Sequence, residues 1–274
     1  QKNKITTIAI LLIVTAGVIA YSNSLKGQFV WDDEILVKEN IYIRSWANIP
    51  KIFSLDVTSG SGKSFNQYYR PLQILTYLVD YSLWKFNVIG YHLTNIVLHI
   101  LAGLCIFWLF NVLFNNRLIS FLTGILFVIH PAQTESVSYI SGRADILSAL
   151  FTVLTLIFYI KSSYNTGFII ASLISYALAL LSKENALVAP LFLLLYHFAF
   201  RKKIKAGQFA PFLILTIFYL VLRFKALNPS AFSLDWLATI LQRIPGFFAS
   251  ITKYLSIFFL PLNIHFEYGQ VVFG

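Results

Sequence analysis

Methionine is absent from this 274-residue sequence, and it has only one cysteine, Cys105. A chain that begins at Gln1 and lacks methionine is expected to be a fragment or a processed form of a longer protein. A single cysteine excludes an internal disulfide. Because Cys105 lies inside an apolar run, a packed thiol is a simpler interpretation than a reactive one.

Charged residues are also scarce, at 12% of the chain, whereas hydrophobic residues make up 58% and the mean hydropathy is +0.73. Soluble domains are about half apolar and about a quarter charged. The composition therefore predicts an all-α polytopic membrane protein organised by lipid. The net charge of +10 does not indicate nucleic-acid binding, because the basic residues cluster at the ends of apolar runs.

Apolar runs separated by short polar segments predict a series of membrane spans. We place them at 5–21, 90–114, 118–130, 144–160, 168–181, 186–200 and 209–224, with a candidate eighth at 245–262. An outer segment with a surface helix around Trp236 is expected at 226–243, and the topology beyond about residue 226 stays open.

Lysine and arginine are unevenly distributed between the two sides of this arrangement. Basic residues accumulate in short cytoplasmic segments of membrane proteins. The predicted cytoplasmic segments hold Lys2, Lys4, Arg117, Lys161, Arg201, Lys202, Lys203 and Lys205, whereas the short outer loops hold Arg143 and Lys183.

Residues 22–89 form a long first outer loop with two amphipathic stretches. Arg44–Phe53 and Tyr68–Phe86 have apolar residues at helical spacing, but neither is long enough to span, and Asp80 interrupts the second. We predict that both are helices lying along the membrane surface.

Three consecutive carboxylates, Asp32, Asp33 and Glu34, follow the first span directly. Each later short outer turn contributes a charge pair, Arg143 with Asp145 and Lys183 with Glu184. Charges at one rim favour a site at the membrane surface, whereas a transporter is expected to place charges near the bilayer midplane. A carboxylate can deprotonate an incoming hydroxyl and cations can neutralise a departing phosphate, so a lipid-linked phosphate sugar fits as substrate.

Six motifs carry a resemblance to a known family: WDDE, IRSWANIPKIF, YYRPLQILTY, GYHLTNIVLH, HPAQTESVSYISGRAD and LALLSKE. Together they resemble the transmembrane-and-tetratricopeptide-repeat protein O-mannosyltransferases of the GT-C glycosyltransferase superfamily, from about residue 29 to about residue 203. The resemblance implies a GT-C-type helix bundle over 1–274, with the family's C-terminal repeats missing from this sequence. It also implies transfer of a sugar, mannose in the family, from a polyprenyl phosphate such as dolichyl phosphate mannose to a Ser or Thr hydroxyl of a protein. The transfer would invert the anomeric carbon on the outer or lumenal face.

The resemblance also implies roles for individual residues. Asp33 would be the catalytic base, with Asp32 as the next candidate and Glu34 as a neighbour that binds or orients the substrate. Arg143 and Lys183 would be phosphate ligands, and Arg70 is a third candidate. Glu135, Glu184 and His130 are further substrate-binding candidates. Glu135 and Glu184 would hold the cationic side chains of the site in place.

Each of these residues has a simpler alternative role. In the simpler role, Asp32 would be a helix cap or a solvated acid, and Arg143 would pair with Asp145 at a helix start. Lys183 is then an interfacial anchor, and His130 is a packing residue at a helix end.

The expected partners are a polyprenyl-phosphate-linked donor, a protein acceptor and the bilayer, with no nucleic acid. No residue set has metal-ligand spacing, so we expect no metal or other cofactor, although the acidic trio offers Mg²⁺ or Mn²⁺ possible oxygen ligands. The location would be the plasma membrane in a prokaryote or the endoplasmic reticulum membrane in a eukaryote. The competing functions are a transporter or flippase of a lipid-linked precursor and a non-catalytic membrane anchor.

Overall fold

The computed structural model describes residues 2–63, 67–162, 165, 167–204, 206–227 and 236–261. These residues form α-helices connected by turns, short 3₁₀ segments and a π-helical turn over Glu34–Lys38, and they contain no β-strand, which confirms the all-α prediction. The α-helices are α1 (Lys2–Tyr21), α2 (Ile49–Ile52), α3 (Pro71–Trp84), α4 (Val88–Phe114), α5 (Arg117–Ile129), α6 (Thr134–Ser138), α7 (Arg143–Lys161), α8 (Gly167–Ser182), α9 (Ala189–Ala199), α10 (Ala206–Leu227) and α11 (Trp236–Phe259).

Four stretches of the described chain are long and apolar enough to cross a membrane. They are Lys4–Lys26, Val88–Phe114, Ile140–Lys161 and Ala206–Leu227. The 117–129 and 131–138 helices make a fifth if they are taken as one span bent by 49° at Pro131, because proline cannot continue the helical hydrogen-bond ladder. Helices α8 and α9 coincide with the spans predicted at 168–181 and 186–200, but each has fewer than the 18 residues expected of a helix that crosses a membrane.

The outer surface of the helices is apolar. Ile19 of α1 and Ile214 of α10 are about two-thirds exposed, and Leu83 of α3 is exposed to the same degree. Asp80, on the same helix as Leu83, is buried instead. Apolar groups outside and polar groups inside are the arrangement expected where lipid covers the surface.

Two consecutive asparagines form the turn between α4 and α5. Asn115 adopts a left-handed conformation (φ 49°) that ends α4. The Asn116 side chain accepts hydrogen bonds from the backbone N–H groups of Leu118 and Ile119, which caps the start of α5. Asparagine is among the residues best suited to both positions, and the break predicted between the spans at 90–114 and 118–130 is confirmed.

Close packing of α4 against α5 depends on a glycine. A Cβ at Gly103 would lie 2.2 Å from Cγ2 of Val128. Small residues at such contacts let helices approach closely, which is how membrane helices gain packing energy.

The first outer loop is folded, with its own apolar core. Val37, Ile43, Ile52 and Tyr77 are almost completely buried in it. The predicted 68–86 helix is confirmed as α3, which starts at Pro71. The predicted single helix over 44–53 is wrong: extended Ser45 separates a 3₁₀ turn ending at Arg44 from another over Trp46–Asn48, which leads into α2.

The C-terminal part differs from the prediction in one respect. A surface helix near Trp236 and a separate span at 245–262 were expected, but a continuous helix, α11, covers Trp236–Phe259 with Pro245 inside it. Residues 228–235 and 262–274 belong to these predictions and lie outside the described residues.

Opposite ends of the bundle have different chemistry. Phe114 and Phe200, whose ring centroids are 5.9 Å apart, bring the C-terminal ends of α4 and α9 together. Ion pairs from Arg70 to Glu184 and from Lys183 to Asp145 bring the N-terminal ends of α3 and α7 to the turn after α8. This second end carries the first outer loop and the predicted site residues.

Candidate functional site

The three carboxylates after α1 point in three directions. Asp32 is exposed and lines a cleft, whereas Asp33 is completely buried. Glu34 forms an exposed ion pair with Lys38, 2.7 Å between Oε1 and Nζ. Trp31, directly before them, has φ 48°, a conformation that costs a non-glycine residue roughly 1–3 kcal/mol and is frequent near functional sites.

Asp33 connects the first outer loop to the segment before α7. Its Oδ1 accepts hydrogen bonds from the backbone N (2.8 Å) and Oγ (2.6 Å) of Ser141, and its Oδ2 accepts one from the backbone N of Val30 (3.1 Å). Burial raises the pKa of the Asp33 carboxyl, and these hydrogen bonds oppose the rise. The Asp33 carboxylate thus fixes the backbone that carries Asp32.

The SGRAD segment contacts three separate parts of the chain through alternate residues. Ser141 binds Asp33, Arg143 binds Asp80 of α3, and Asp145 binds Lys183 after α8. Gly142 allows the segment to pass close to α6, because a Cβ there would lie 2.6 Å from the backbone oxygen of Ser136.

Arg143 is fully enclosed. Its Nη1 lies 2.5 Å from Oδ2 of Asp80, its Nε donates to Oδ1 of Asn95 (2.7 Å) and its Nη2 donates to the backbone oxygen of Tyr91 (3.0 Å). Its guanidinium carbon lies 4.7 Å from the ring centroid of Tyr77. Burial raises the pKa of Asp80, while the Arg143 guanidinium opposes this. Arg143 is therefore held inside the protein, and its predicted phosphate-binding role has no surface access in this conformation.

Ion pairs form between turns, not within them. Lys183 Nζ lies 2.7 Å from both carboxylate oxygens of Asp145, and Glu184 accepts two hydrogen bonds from Arg70, 2.6 Å and 3.1 Å long. Pairing of Arg143 with Asp145 is thus wrong, as is pairing of Lys183 with Glu184. Lys183 is in extended backbone (φ −160°), so its side chain and that of Glu184 diverge.

Arg223 is a further cation of the site and is not among the site residues predicted from the sequence. Its Nη1 lies 3.7 Å from Oε2 of Glu184, and its Nη2 donates to the backbone oxygen of Gln67 (3.3 Å). Arg70 and Arg223 thus place two positive charges beside the single negative charge of Glu184, so one positive charge is in excess. An arginine within an apolar span was the available signal, because such residues are expensive in lipid and mark functional positions.

A cleft of about 430 Å³ lies beside these groups. Asp32, Arg70 and Gln73 line it, together with Asp56 and Tyr68. The Arg70 guanidinium stacks over the Tyr68 ring, 4.3 Å from its centroid. Asp56 accepts hydrogen bonds from the backbone N–H groups of Thr58, Gln67 and Tyr68, which closes the loop around the cleft. A carboxylate and a guanidinium thus share one cavity.

Two remaining candidates lie away from the cleft lining. His130 caps the 3₁₀ turn at Pro131, accepting from the backbone N of Ala132 (3.2 Å), and its Nε2 is 3.1 Å from the backbone oxygen of Phe258. Glu135 is exposed on α6. Within the described ranges, no three His, Cys, Asp or Glu side chains are grouped to hold a metal ion.

Comparison with curated proteins finds relatives for more than half of the chain. It is 33% identical over 185 residues to a protein O-mannosyl-transferase of Caenorhabditis elegans, which covers 65% of this chain and 26% of that protein. It is 36% identical over 159 residues to the human protein O-mannosyl-transferase TMTC1, covering 56% and 18% of the two chains. For human TMTC4 the identity is 29% over 202 residues, covering 65% and 27%. The aligned part thus spans about a quarter or less of the length of these relatives, and no family model or solved structure matches.

Proposed function

The chain is a homologue of the TMTC protein O-mannosyl-transferases, and on that basis we propose that it belongs to an enzyme that mannosylates proteins at a membrane surface. The donor is a polyprenyl phosphate carrying mannose, and the acceptor is a Ser or Thr hydroxyl of a protein. The reaction takes place at the end of the bundle that carries the first outer loop, on the outer or lumenal side. The enzyme resides in the plasma membrane of a prokaryote or in the endoplasmic reticulum membrane of a eukaryote.

The cleft shared by Asp32 and Arg70 is the observation that carries this proposal. An acceptor hydroxyl lies against the Asp32 carboxylate, which takes its proton as the oxygen attacks the anomeric carbon. The bond between that carbon and the phosphate oxygen breaks on the opposite face, so the configuration inverts.

Cations beside the cleft stabilise the departing polyprenyl phosphate. Arg70 and Arg223 share Glu184 and keep one positive charge in excess, and a fixed cation stabilises charge that grows in the transition state. Lys183 is neutralised by Asp145, which ranks it below Arg70 as a phosphate ligand. We propose that these cations do the work without a metal ion.

Asp33 and Arg143 act as positioning residues in this scheme. Asp33 holds the backbone of Asp32 through Ser141, and Arg143 holds α3, which starts next to Arg70, through Asp80. The family resemblance implies that Asp33 is the base. That assignment stays a prediction, and burial of Asp33 ranks exposed Asp32 ahead of it.

The test is transfer of radiolabelled mannose from polyprenyl-phosphate mannose to a Ser/Thr peptide by the purified full-length protein. Asp32→Asn is expected to lower turnover about 10²–10⁴-fold, and Arg70→Gln about 10²–10³-fold. Glu39→Gln is the control, because Glu39 has no assigned role and is in an exposed pair with Lys63, and such pairs contribute about 0–1 kcal/mol.

Three results would count against the proposal. Wild-type turnover in Asp32→Asn would show that Asp32 is not the base. A product with the donor's anomeric configuration would show that the reaction is not a single displacement. Loss of transfer in EDTA, restored by Mg²⁺ or Mn²⁺, would show that the cations are not sufficient.

A further inference from the structure

A second cleft of about 430 Å³ lies at the opposite end of the bundle. Its lining includes Tyr159 and Ser162 at the end of α7 and His197 at the end of α9. Lys202 and Lys203, from the connection between α9 and α10, complete the polar wall. None of these residues lines the cleft that holds Asp32.

The backbone that carries the two lysines is fixed by hydrogen bonds. Arg201 turns the chain with φ 49°, and the backbone N of Lys202 donates to the backbone oxygen of His197 (2.9 Å). The His197 ring lies between two polar partners, with Nδ1 3.1 Å from the backbone oxygen of Lys202 and Nε2 2.8 Å from Oη of Tyr159. The cleft is therefore preformed by contacts between α7, α9 and the connection.

The charge of this cleft has one sign. The sequence has no Asp or Glu in 81–134, 146–183 or 185–234, so every segment that lines the cleft is free of acidic residues. Among the ion pairs that the described residues form, none includes Lys202 or Lys203. Two ammonium groups without a carboxylate partner attract an anion.

An apolar groove of about 320 Å³ continues from the cationic cleft between α4, α7 and α9. The two cavities have four lining residues in common: Leu113, Ile160, Tyr196 and Phe200. The groove extends along Leu109 and Leu195, and apolar side chains cover almost all of its wall. An occupant that satisfies both parts needs an anionic head and a hydrocarbon tail.

We propose that the cationic cleft and the apolar groove together bind one anionic glycerophospholipid of the bilayer. Its phosphate lies at Lys202 and Lys203, and one acyl chain lies along the groove. Basic pockets between membrane helices bind anionic headgroups on the cytoplasmic side, and the basic residues place this end there by the positive-inside rule. A free phosphate would use the lysines but gain nothing from the groove. The proposal does not depend on the transferase activity.

The test measures lipid binding to the purified full-length protein in neutral detergent by native mass spectrometry. Phosphatidylglycerol, phosphatidylcholine with the same acyl chains, and soluble glycerol phosphate are titrated separately. Wild-type protein is expected to bind phosphatidylglycerol most tightly. The Lys202→Gln/Lys203→Gln variant is expected to bind it roughly 10–30-fold more weakly, because each lysine near an anionic headgroup contributes about a factor of five.

Two matched controls separate the head and tail parts of the site. Lys4→Gln/Arg201→Gln removes the same charge from residues that do not line the cleft, and it should keep the wild-type affinity. Leu195→Trp should fill the groove and weaken binding, whereas Leu191→Trp should not, because Leu191 is equally exposed on α9 but does not line the groove.

The proposal fails if Lys202→Gln/Lys203→Gln binds phosphatidylglycerol like wild type, or if phosphatidylcholine binds equally well. Tight binding of glycerol phosphate that displaces the lipid would also overturn it, because the site would then recognise a soluble phosphate. Equal effects of Leu195→Trp and Leu191→Trp would overturn the assignment of the acyl chain to the groove.

Discussion

At the scale of single residues, neighbouring carboxylates have unequal environments. Asp32 is exposed in a cleft, whereas Asp33 is buried with three hydrogen bonds. A base must reach its substrate, while a buried carboxylate with satisfied oxygens acts through the backbone that it fixes. This difference is invisible in the sequence, where both residues have the same side chain and adjacent positions.

Asp33→Asn tests the positioning role. The amide keeps an oxygen for Ser141, so transfer should fall less than about tenfold, whereas Asp33→Ala should cost about 1–3 kcal/mol of stability by leaving buried donors unpaired. Because burial raises the folded-state pKa of Asp33, its stabilising contribution is complete below the unfolded pKa of about 3.9 and is lost as pH rises through the raised value. Thermal unfolding from pH 4 upwards should show wild type losing stability relative to Asp33→Asn. Abolished transfer in a stable Asp33→Asn protein would instead identify Asp33 as the base.

Arg143 and Asp80 form a buried ion pair that should be costly to break. Asp80→Ala leaves the guanidinium charge buried with no carboxylate, which costs about 3–5 kcal/mol. The control is Lys38→Ala, which breaks an exposed pair worth about 0–1 kcal/mol. Chemical denaturation in detergent measures both. Unchanged stability of Asp80→Ala with lost donor binding would support the phosphate-ligand role that the sequence implied for Arg143.

At the scale of secondary-structure elements, the segment before α7 depends on close approach of two backbones. Gly142→Ala would place a Cβ 2.6 Å from the backbone oxygen of Ser136, and such overpacking costs about 1–3 kcal/mol. Gly207→Ala is the control, because nothing lies within 4 Å of its added Cβ in the first turn of α10, and alanine at a compatible backbone position stabilises by about 0.4–1 kcal/mol. Opposite shifts in melting temperature are expected, and equal shifts would contradict the packing account.

The helices were largely predictable from the sequence, and the pairings between them were not. The asparagine turn at 115–116 and the start of α3 at Pro71 follow from local preferences. The interruption at Ser45 was missed because apolar spacing continues through it. Arg143 and Asp80 are 63 positions apart in sequence, and no local pattern indicates their contact.

At the scale of the whole molecule, one end of the bundle pairs carboxylates with cations, whereas the segments that line the cleft at the other end carry lysines and no carboxylate. We expect these ends to lie on opposite sides of the membrane, as the distribution of lysine and arginine indicates. Single cysteines at positions 63 and 202, both exposed, can be introduced after Cys105→Ala. A membrane-impermeant thiol reagent added from outside should label position 63 and leave position 202 unlabelled, and the reverse result would invert the topology.

The Asp33–Ser141 contact also determines an order of events during biosynthesis. These residues are 108 positions apart, and a ribosome adds roughly 5–20 residues per second. Asp33 is therefore synthesised roughly 5–20 s before Ser141, its anchoring partner. During that interval the nascent loop must remain on its side of the membrane without its final partner, open to the chaperones of that compartment.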